Sequence, residues 1–127
     1  MLKKLLLIFT LIVSLSACAK ELPHQKRIVV SLHNPEFSIT EQSNPTTGFS
    51  WKLISYDKNL ITFLHHHTVT PHHSTLMGAP GHEIWTFKAN HAHYRVNQVG
   101  HICLEYARPW TKQGARKINV IVVVKAR

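Results

Sequence analysis

The sequence predicts an all-β fold, an antiparallel β-sandwich formed by a single domain. Short apolar segments alternate with polar residues at every second position, which is the period of a half-buried strand. No segment repeats its apolar residues with the 3.6-residue period of a helix. The chain has 127 residues, of which 110 remain if a predicted export signal of 17 is removed, and this length suits one domain.

Seven segments of the chain have the composition and spacing of strands. The first two are rich in β-branched residues and are separated by the turn dipeptide Asn34-Pro35. The fifth shows the alternation clearly, because Trp85, Phe87 and Ala89 share one face. The seven predicted strands are 27–33, 37–42, 49–53, 60–64, 84–89, 102–106 and 118–124.

The composition excludes several classes of protein. The chain is 44% hydrophobic and 17% charged, so it is too apolar and too weakly charged for a disordered polyelectrolyte. Its 6 acidic residues disfavour a calcium cage and paired-carboxylate catalysis. The formal charge of +9 would suit nucleic acid, but the bases are scattered apart from Lys26-Arg27 and Arg116-Lys117. We therefore expect no nucleic-acid partner.

The N-terminus has the order of an export signal. Two lysines near the start precede an apolar run over 5–13, and small residues follow that run. The run is too short to remain in a bilayer as a spanning helix. We predict that residues 1–17 are a signal peptide, that 18–26 form a short tether, and that the folded domain covers 27–127.

Residues 15–18, Leu-Ser-Ala-Cys, resemble the bacterial lipobox, in which the cysteine is acylated and begins the mature chain. We therefore expect a lipid anchor at Cys18 that holds the protein at the cell envelope, facing the periplasm or the cell surface. The alternative is ordinary cleavage after Ala19, since residues 17–19 also fit the small-x-small pattern of a signal-peptide cleavage site. In that case the protein is secreted.

The second cysteine of the chain is predicted to be structural. If Cys18 is lipidated or removed, Cys103 has no intramolecular partner for a disulfide. Residues 102–106 read as a plain alternating strand, which places Cys103 on the opposite face from the apolar positions. We therefore expect neither a disulfide nor a catalytic thiol, and the remaining residues show no catalytic constellation.

The loop over 43–49 combines a rigid residue with a permissive one. Pro45 fixes its own φ angle and restricts Asn44 to extended geometry. Gly48 allows a positive φ angle immediately before the next strand. Thr46 and Thr47 lie between them, so the sequence predicts two short hydroxyl side chains on a stiff, protruding turn.

Two further loops have unusual compositions. Residues 76–81, Leu-Met-Gly-Ala-Pro-Gly, begin with two apolar side chains and continue with residues whose side chains are small or absent. Such a stretch lets another backbone approach closely. Arg108-Pro109-Trp110 places a cation and an aromatic ring on a rigid turn at the end of a strand. Arginine and tryptophan are over-represented at binding hot spots, so both loops are candidates for contact with a partner.

These three loops together resemble the chagasin family, the protein inhibitors of papain-like cysteine proteases. Residues 44–49, followed by Trp51, match the first inhibitory loop of the family, and 108–110 match the third. Residues 76–81 resemble the second loop, with Pro80 in place of a glycine and therefore without one backbone N–H donor. The resemblance implies a reversible inhibitor, not an enzyme, that needs no cofactor.

The resemblance also implies how the partner is bound. An immunoglobulin-like sandwich would present the loops 43–49, 76–81 and 108–111 side by side and wedge them into the protease cleft. The first loop would cover the catalytic centre, Met77 would fill an apolar subsite, and Trp110 would pack on the far wall. Arg108 would brace its loop or meet an acidic group, and we expect the inhibitor to act as a monomer. The implied protease-binding residues are Asn44, Pro45, Thr46, Thr47, Gly48, Phe49, Met77, Gly78, Ala79, Gly81, Arg108, Pro109 and Trp110.

A histidine-rich envelope protein that binds zinc or copper is the alternative function. The chain contains 11 histidines, some of them clustered, and neutral imidazoles are good ligands for both metals. On a strand, two histidines separated by one residue share a face. Acidic residues that would orient the rings are scarce, which weakens this hypothesis. The weak candidate ligands are His65, His67, His72 and His73.

Lipidation can be tested directly in the bacterial envelope. If Cys18 is acylated, the protein should incorporate a labelled fatty-acid analogue, and Cys18→Ser should abolish the label because the acylated thiol is gone. The measurement is label in the purified chain, with Cys103→Ser as the matched control. Equal labelling of the Cys18→Ser variant would contradict the lipoprotein prediction and leave the export prediction intact.

Overall fold

A computed structural model describes residues 24–71 and 78–126, and these form two β-sheets. One sheet has four strands in the order β1-β7-β6-β3, and the other has three in the order β2-β5-β4. The predicted all-β sandwich is thus confirmed. The strands are β1 (His24–Val30), β2 (Glu36–Ser43), β3 (Ser50–Tyr56), β4 (Ile61–Val69), β5 (Gly81–Ala89), β6 (Gln98–Arg108) and β7 (Thr111–Val124).

Several predicted features lie outside the described residues. These are the signal peptide over 1–17, the lipidation site Cys18, and the loop residues His72, His73 and Met77. Within the described ranges, no helix is long and apolar enough to cross a membrane.

The core lies between the two sheets and follows the alternation seen in the sequence. Trp85, Phe87 and Ala89 are all buried, as their shared face predicts. β7 contributes the even-numbered positions from Ile118 to Val124, which are also buried. Burial of these side chains supplies most of the driving force for folding, at about 25 cal/mol for each Å² of apolar surface removed from water. The largest fully buried side chains are Phe87, Ile61, Ile102, Leu104, Val120, Val122 and Val124.

The first strand differs from the prediction in extent and direction. β1 begins at His24, so residues 24–26, assigned to the tether from sequence, pair with Ile118–Val120. This pairing is parallel, and the sandwich is therefore not antiparallel throughout. β1 is followed at once by the turn that leads to β2 in the opposite sheet. No hairpin joins it to its neighbour, so its direction is not restricted to antiparallel.

Residues 107–115 have a turn-forming composition, which predicts a connection between the sixth and seventh strands, but they are largely strand, so this prediction is wrong. β6 extends to Arg108, which pairs with Thr111, and only two residues separate the strands. Between this pair and the pair formed by Tyr106 and Arg116, the register shifts, so residues 112–115 of β7 form a bulge. Gly114 has a φ angle of 74° within the bulge. The turn-forming composition here therefore marks a bulge, which needs the same backbone freedom as a turn.

A buried carboxylate joins the strands on the outer face of the four-stranded sheet. Glu105 is only 5% exposed and lies in register between Lys52 on β3 and Lys117 on β7. Lys112, in the bulge, donates a hydrogen bond to this carboxylate and forms an ion pair with it. That hydrogen bond lowers the pKa of Glu105 below its ordinary value; burial opposes the shift, and the positive charges of Lys112, Lys117 and Lys52 add to it.

The lowered pKa of Glu105 predicts a loss of stability in acid. A carboxyl whose pKa is lower in the folded protein stabilises it above the unfolded value, which is about 4.3, and this contribution disappears as the pH falls through the folded value. We expect Glu105→Gln to unfold at a lower temperature than the parent at pH 7, with the difference shrinking below about pH 4. Thermal melts between pH 3 and 7 test this, with Glu36→Gln as the control for removal of one negative charge. Parallel profiles for the parent and Glu105→Gln would contradict the assignment.

Candidate functional site

The turn between β2 and β3 is held by its own side chains. Pro45–Thr47 form a 3₁₀ turn that is capped by Asn44, with φ −124° and ψ 92°. The Asn44 Oδ1 atom accepts hydrogen bonds from the Thr46 amide at 3.2 Å and from the Thr46 hydroxyl at 2.6 Å. Gly48 closes the turn at φ 77°, and its amide donates to the carbonyl of Pro45 at 3.1 Å. The extended Asn44 and the positive φ angle of Gly48 are both as predicted.

The tip of this turn faces solvent with its backbone already organised. Pro45, Thr46 and Thr47 are exposed. The Thr47 hydroxyl donates to the Asn44 carbonyl at 2.7 Å, so both threonine hydroxyls use their protons within the loop. Their oxygen atoms retain lone pairs and can accept hydrogen bonds from a partner.

The second loop lies against the first. Asn44 Nδ2 donates to the carbonyl oxygen of Gly78 at 3.3 Å. Gly78 has a φ angle of 87°, which a residue with a side chain adopts only with strain. A Cβ atom at Gly78 would lie 3.5 Å from Thr46 Oγ1, so the two loops are in contact. Ala79 is half-buried beside them and Pro80 is exposed, while Met77 lies outside the described residues.

Gly81, which the resemblance implies as a protease contact, is buried. It is the first residue of β5 and pairs with Ser43, the last residue of β2. A Cβ atom there would lie 2.6 Å from the carbonyl oxygen of Val69, which is backbone and cannot move aside cheaply. The structure therefore explains Gly81 by packing: it starts the strand that positions the second loop.

The third loop contacts the first through two of its residues. Arg108 Nε donates to the carbonyl of Thr47 at 3.0 Å. The Trp110 ring lies beside Gly48, where an added Cβ atom would come within 2.8 Å of the indole Cη2 atom. Most of the Trp110 surface remains free, since the residue is 73% exposed. Pro109 is exposed between them.

A stack of aromatic rings and guanidinium groups packs next to the loops and supports them. The Arg108 guanidinium lies over the Phe49 ring, 4.4 Å from its centroid, and Phe49 stacks on Tyr106 at 5.2 Å. Tyr106 also contacts Trp51, at 4.9 Å between centroids, and Arg116 lies 4.9 Å over the Tyr106 ring. Phe49 is therefore a half-buried support within the site, held between Arg108 and Tyr106.

Two residues of this support were not recognised from the sequence. The Tyr106 hydroxyl accepts a hydrogen bond from the Asn44 amide at 3.1 Å, which ties the strand before the third loop to the start of the first. Arg116 covers the same ring from β7. Tyr106 continued an alternating strand in the sequence and Arg116 belonged to a basic pair, so neither pattern indicated a shared site.

A buried glutamate holds the base of the first loop. Glu83 is 5% exposed, and its Oε1 atom accepts a hydrogen bond from Ser43 Oγ at 2.6 Å and a long one from the Trp51 amide at 3.4 Å. His66 Nε2 lies 3.0 Å from the other carboxylate oxygen, and its ring stacks on Trp85 at 4.0 Å. Ser43 and Trp51 flank the loop on both sides, so this carboxylate holds both of its ends. The sequence contained no signal for this network.

The histidines of β4 point in two directions. His65 and His67 share an exposed face, with their ring centroids 5.8 Å apart, whereas His66 turns inward to Glu83. Among the residues that the structure describes, no three metal-ligating side chains come together. His72 and His73 lie outside those residues.

Comparison with known proteins identifies this arrangement. The model of the chagasin family peptidase inhibitors, I42, matches residues 32–124. Two solved structures are similar in fold. The cysteine protease inhibitor EhICP2 from Entamoeba histolytica is 21% identical, with a TM-score of 0.52, over 83% of this chain and 99% of that one. Amebosin is 22% identical, with a TM-score of 0.57, over 81% of this chain and 99% of that one. No curated protein sequence is significantly similar to the chain.

The hydrogen bond between the Asn44 amide and the Tyr106 hydroxyl can be removed without disturbing the aromatic stack. Tyr106→Phe keeps the ring, so we expect the melting temperature to fall by only a few degrees. The Asn44 amide should exchange with solvent roughly fivefold faster, since losing such a bond costs about 1 kcal/mol. Amide exchange followed by NMR measures this. Tyr94→Phe is the matched control, because it removes a comparable bond to the Asn90 carbonyl. Unchanged Asn44 exchange in Tyr106→Phe would contradict this role.

Proposed function

The chain belongs to the chagasin family of peptidase inhibitors, and we propose that it reversibly inhibits papain-like cysteine proteases by inserting its three loops into the active-site cleft. The observation that carries this proposal is the contact of both outer loops with the first one. Gly78 accepts from Asn44, Arg108 donates to Thr47, and Trp110 lies against Gly48. The three loops therefore form one wedge, which we call the loop end.

Pre-organisation of the wedge supports inhibition. Hydrogen bonds within 44–48 and between the loops hold the backbone of the tip before a partner arrives. Each residue ordered only on binding would cost free energy, so a preformed tip retains more of the contact energy as affinity. Inhibition by blocking requires this rigidity and no reacting group of its own.

The turn geometry supports a role as an inhibitor that resists cleavage. In our proposal, the first loop covers the catalytic cysteine and histidine of the protease. Its backbone follows a 3₁₀ turn that ends in the left-handed region at Gly48. An extended peptide that could align a scissile bond is thus absent from 45–48. The exposed oxygens of Thr46 and Thr47 would accept hydrogen bonds from the polar groups of the catalytic centre.

Trp110 is the proposed anchor of the third loop. A largely exposed indole is an unusual surface feature, and a tryptophan buried on binding contributes a large contact area at low entropic cost. Arg108 would not be free to search for an acidic partner, because Thr47 and Phe49 already hold its side chain. We therefore propose that Arg108 braces the wedge while Trp110 grips the wall of the cleft.

We further propose that the protein acts outside the cytoplasm. The predicted signal peptide and Cys18 would place the inhibitor at the cell envelope, or in the medium if Cys18 is not acylated. At that location it would meet proteases of the same cell, of its neighbours or of a host.

Titration of papain-like proteases with the purified protein tests the proposed function. We expect Trp110→Ala to raise the inhibition constant roughly 30-fold, because truncating a hot-spot tryptophan costs about 2 kcal/mol or more. Thr46→Ala should cost less, about 1 kcal/mol, since it removes a single hydroxyl. The readout is residual protease activity against inhibitor concentration, with a thermal melt of each variant.

Val99→Ala is the matched control for these variants. Val99 is also a largely exposed apolar residue, but it lies near the start of β6, whereas the loop end lies at the other end of that strand. The control should inhibit like the parent. If the parent leaves every papain-like protease fully active at micromolar concentration, the proposed function is wrong.

A further inference from the structure

Among the residues that the structure describes, the acidic side chains around the loop end are largely buried, whereas several positive ones face solvent. Three acidic residues lie near it, and the exposed fractions of their side chains are 14% for Glu41, 7% for Glu83 and 6% for Glu105. Lys26 and Lys112 form ion pairs with Glu41 and Glu105, and His66 Nε2 lies 3.0 Å from the Glu83 carboxylate. No other acidic residue of the described chain lies at this end, because Glu36 begins β2 and Asp57 follows β3.

Several bases at the same end belong to no ion pair within the described residues. Lys52 and Lys117 are exposed and flank Glu105 in one row across β3, β6 and β7. Arg116, in the next row towards the loops, is also exposed and covers the Tyr106 ring. The partly buried Arg108 completes the group at the end of β6. Unpaired positive charge therefore lies on both faces of the four-stranded sheet near the loops, with Lys52 and Lys117 on the outer face and the two arginines on the face of Tyr106.

From this we infer that the inhibitor selects proteases with an acidic rim around the cleft, and that electrostatic attraction accelerates association. This inference rests on the proposed function, because it concerns the partner of the same loops. The row of Lys52 and Lys117 is three residues along β6 from Arg108, or roughly 10 Å at about 3.3 Å per residue. That distance is close to one Debye length at about 0.1 M salt, so these charges act on a protease that approaches the loops.

The opposite end of the domain exposes charges of both signs. This difference between the two ends favours encounters in which the loop end meets the protease first. Glu36 lies in register with Lys88, and Asp57 is next to Lys58 in the chain. Exposed carboxylates there partly offset the positive charge of Lys58, Lys88, Arg95 and Lys125. An acidic cleft would therefore attract the loop end more strongly than the opposite end. Such steering raises association rate constants by about 10-fold to 1,000-fold and falls steeply with salt.

The test is stopped-flow measurement of the association rate constant with papain-like proteases whose cleft rims range from acidic to basic, at about 20 to 400 mM NaCl. For enzymes with acidic rims, the parent should associate at least 10-fold more slowly at the highest salt than at the lowest. The double variant Lys52→Gln/Lys117→Gln should associate severalfold more slowly than the parent at low salt and show a shallower salt dependence. Its dissociation rate should not change, because neither lysine belongs to the loops.

The matched control is Lys58→Gln/Lys125→Gln, which removes the same charge from exposed positions at the opposite end. It should associate like the parent at every salt concentration. A salt-independent association rate, equal slowing by the two double variants, or faster association with basic rims would overturn the inference while inhibition itself stands. If no papain-like protease is inhibited at all, the proposed function fails and this inference fails with it.

Discussion

The stack formed by Arg108, Phe49 and Tyr106 is the interaction on which the loop end depends. Phe49 lies in the connection between β2 and β3, whereas Tyr106 and Arg108 belong to β6. The stack therefore joins the first loop to the third. The Tyr106 hydroxyl accepts a hydrogen bond from the Asn44 amide, and Arg108 donates a hydrogen bond to the Thr47 carbonyl. One cluster thus fixes both ends of the turn that the partner would meet.

The buried carboxylate of Glu83 provides a second constraint from the other sheet. A buried charge without partners would cost several kcal/mol. The hydrogen bonds that Glu83 accepts from Ser43 and Trp51, and its contact with His66, therefore stabilise the fold as well as the loop. β2, β3, β4 and β5 all contribute to this site. The rigidity of the loop end therefore comes from both sheets, which is consistent with a function that depends on shape.

The proposed function is divided between a rigid tip and the charged residues that surround it. The tip offers short oxygens, an exposed indole and a preformed backbone, which act over contact distances. In our inference, the bases next to the tip would act over about a Debye length and raise the frequency with which a partner arrives correctly oriented. Within the described residues, burial and ion pairing keep the acidic side chains near the loops largely off the exposed surface, so the two contributions would not oppose each other.

The sequence by itself determined the sandwich, the buried face of strands with clear alternation such as β5, and the backbone of the first loop. These properties follow from residues close together in the chain, such as the alternation of Trp85 and Phe87 or the pairing of Pro45 with Gly48. Tertiary structure decided that Phe49 supports the site, that Gly81 is buried against Val69, and that the composition of 107–115 marks a bulge. It also brought Tyr106 to Asn44 and Glu83 to Ser43, which are 62 and 40 residues apart in the chain. Local patterns carry no information about such contacts, because strand order and register alone bring those residues together.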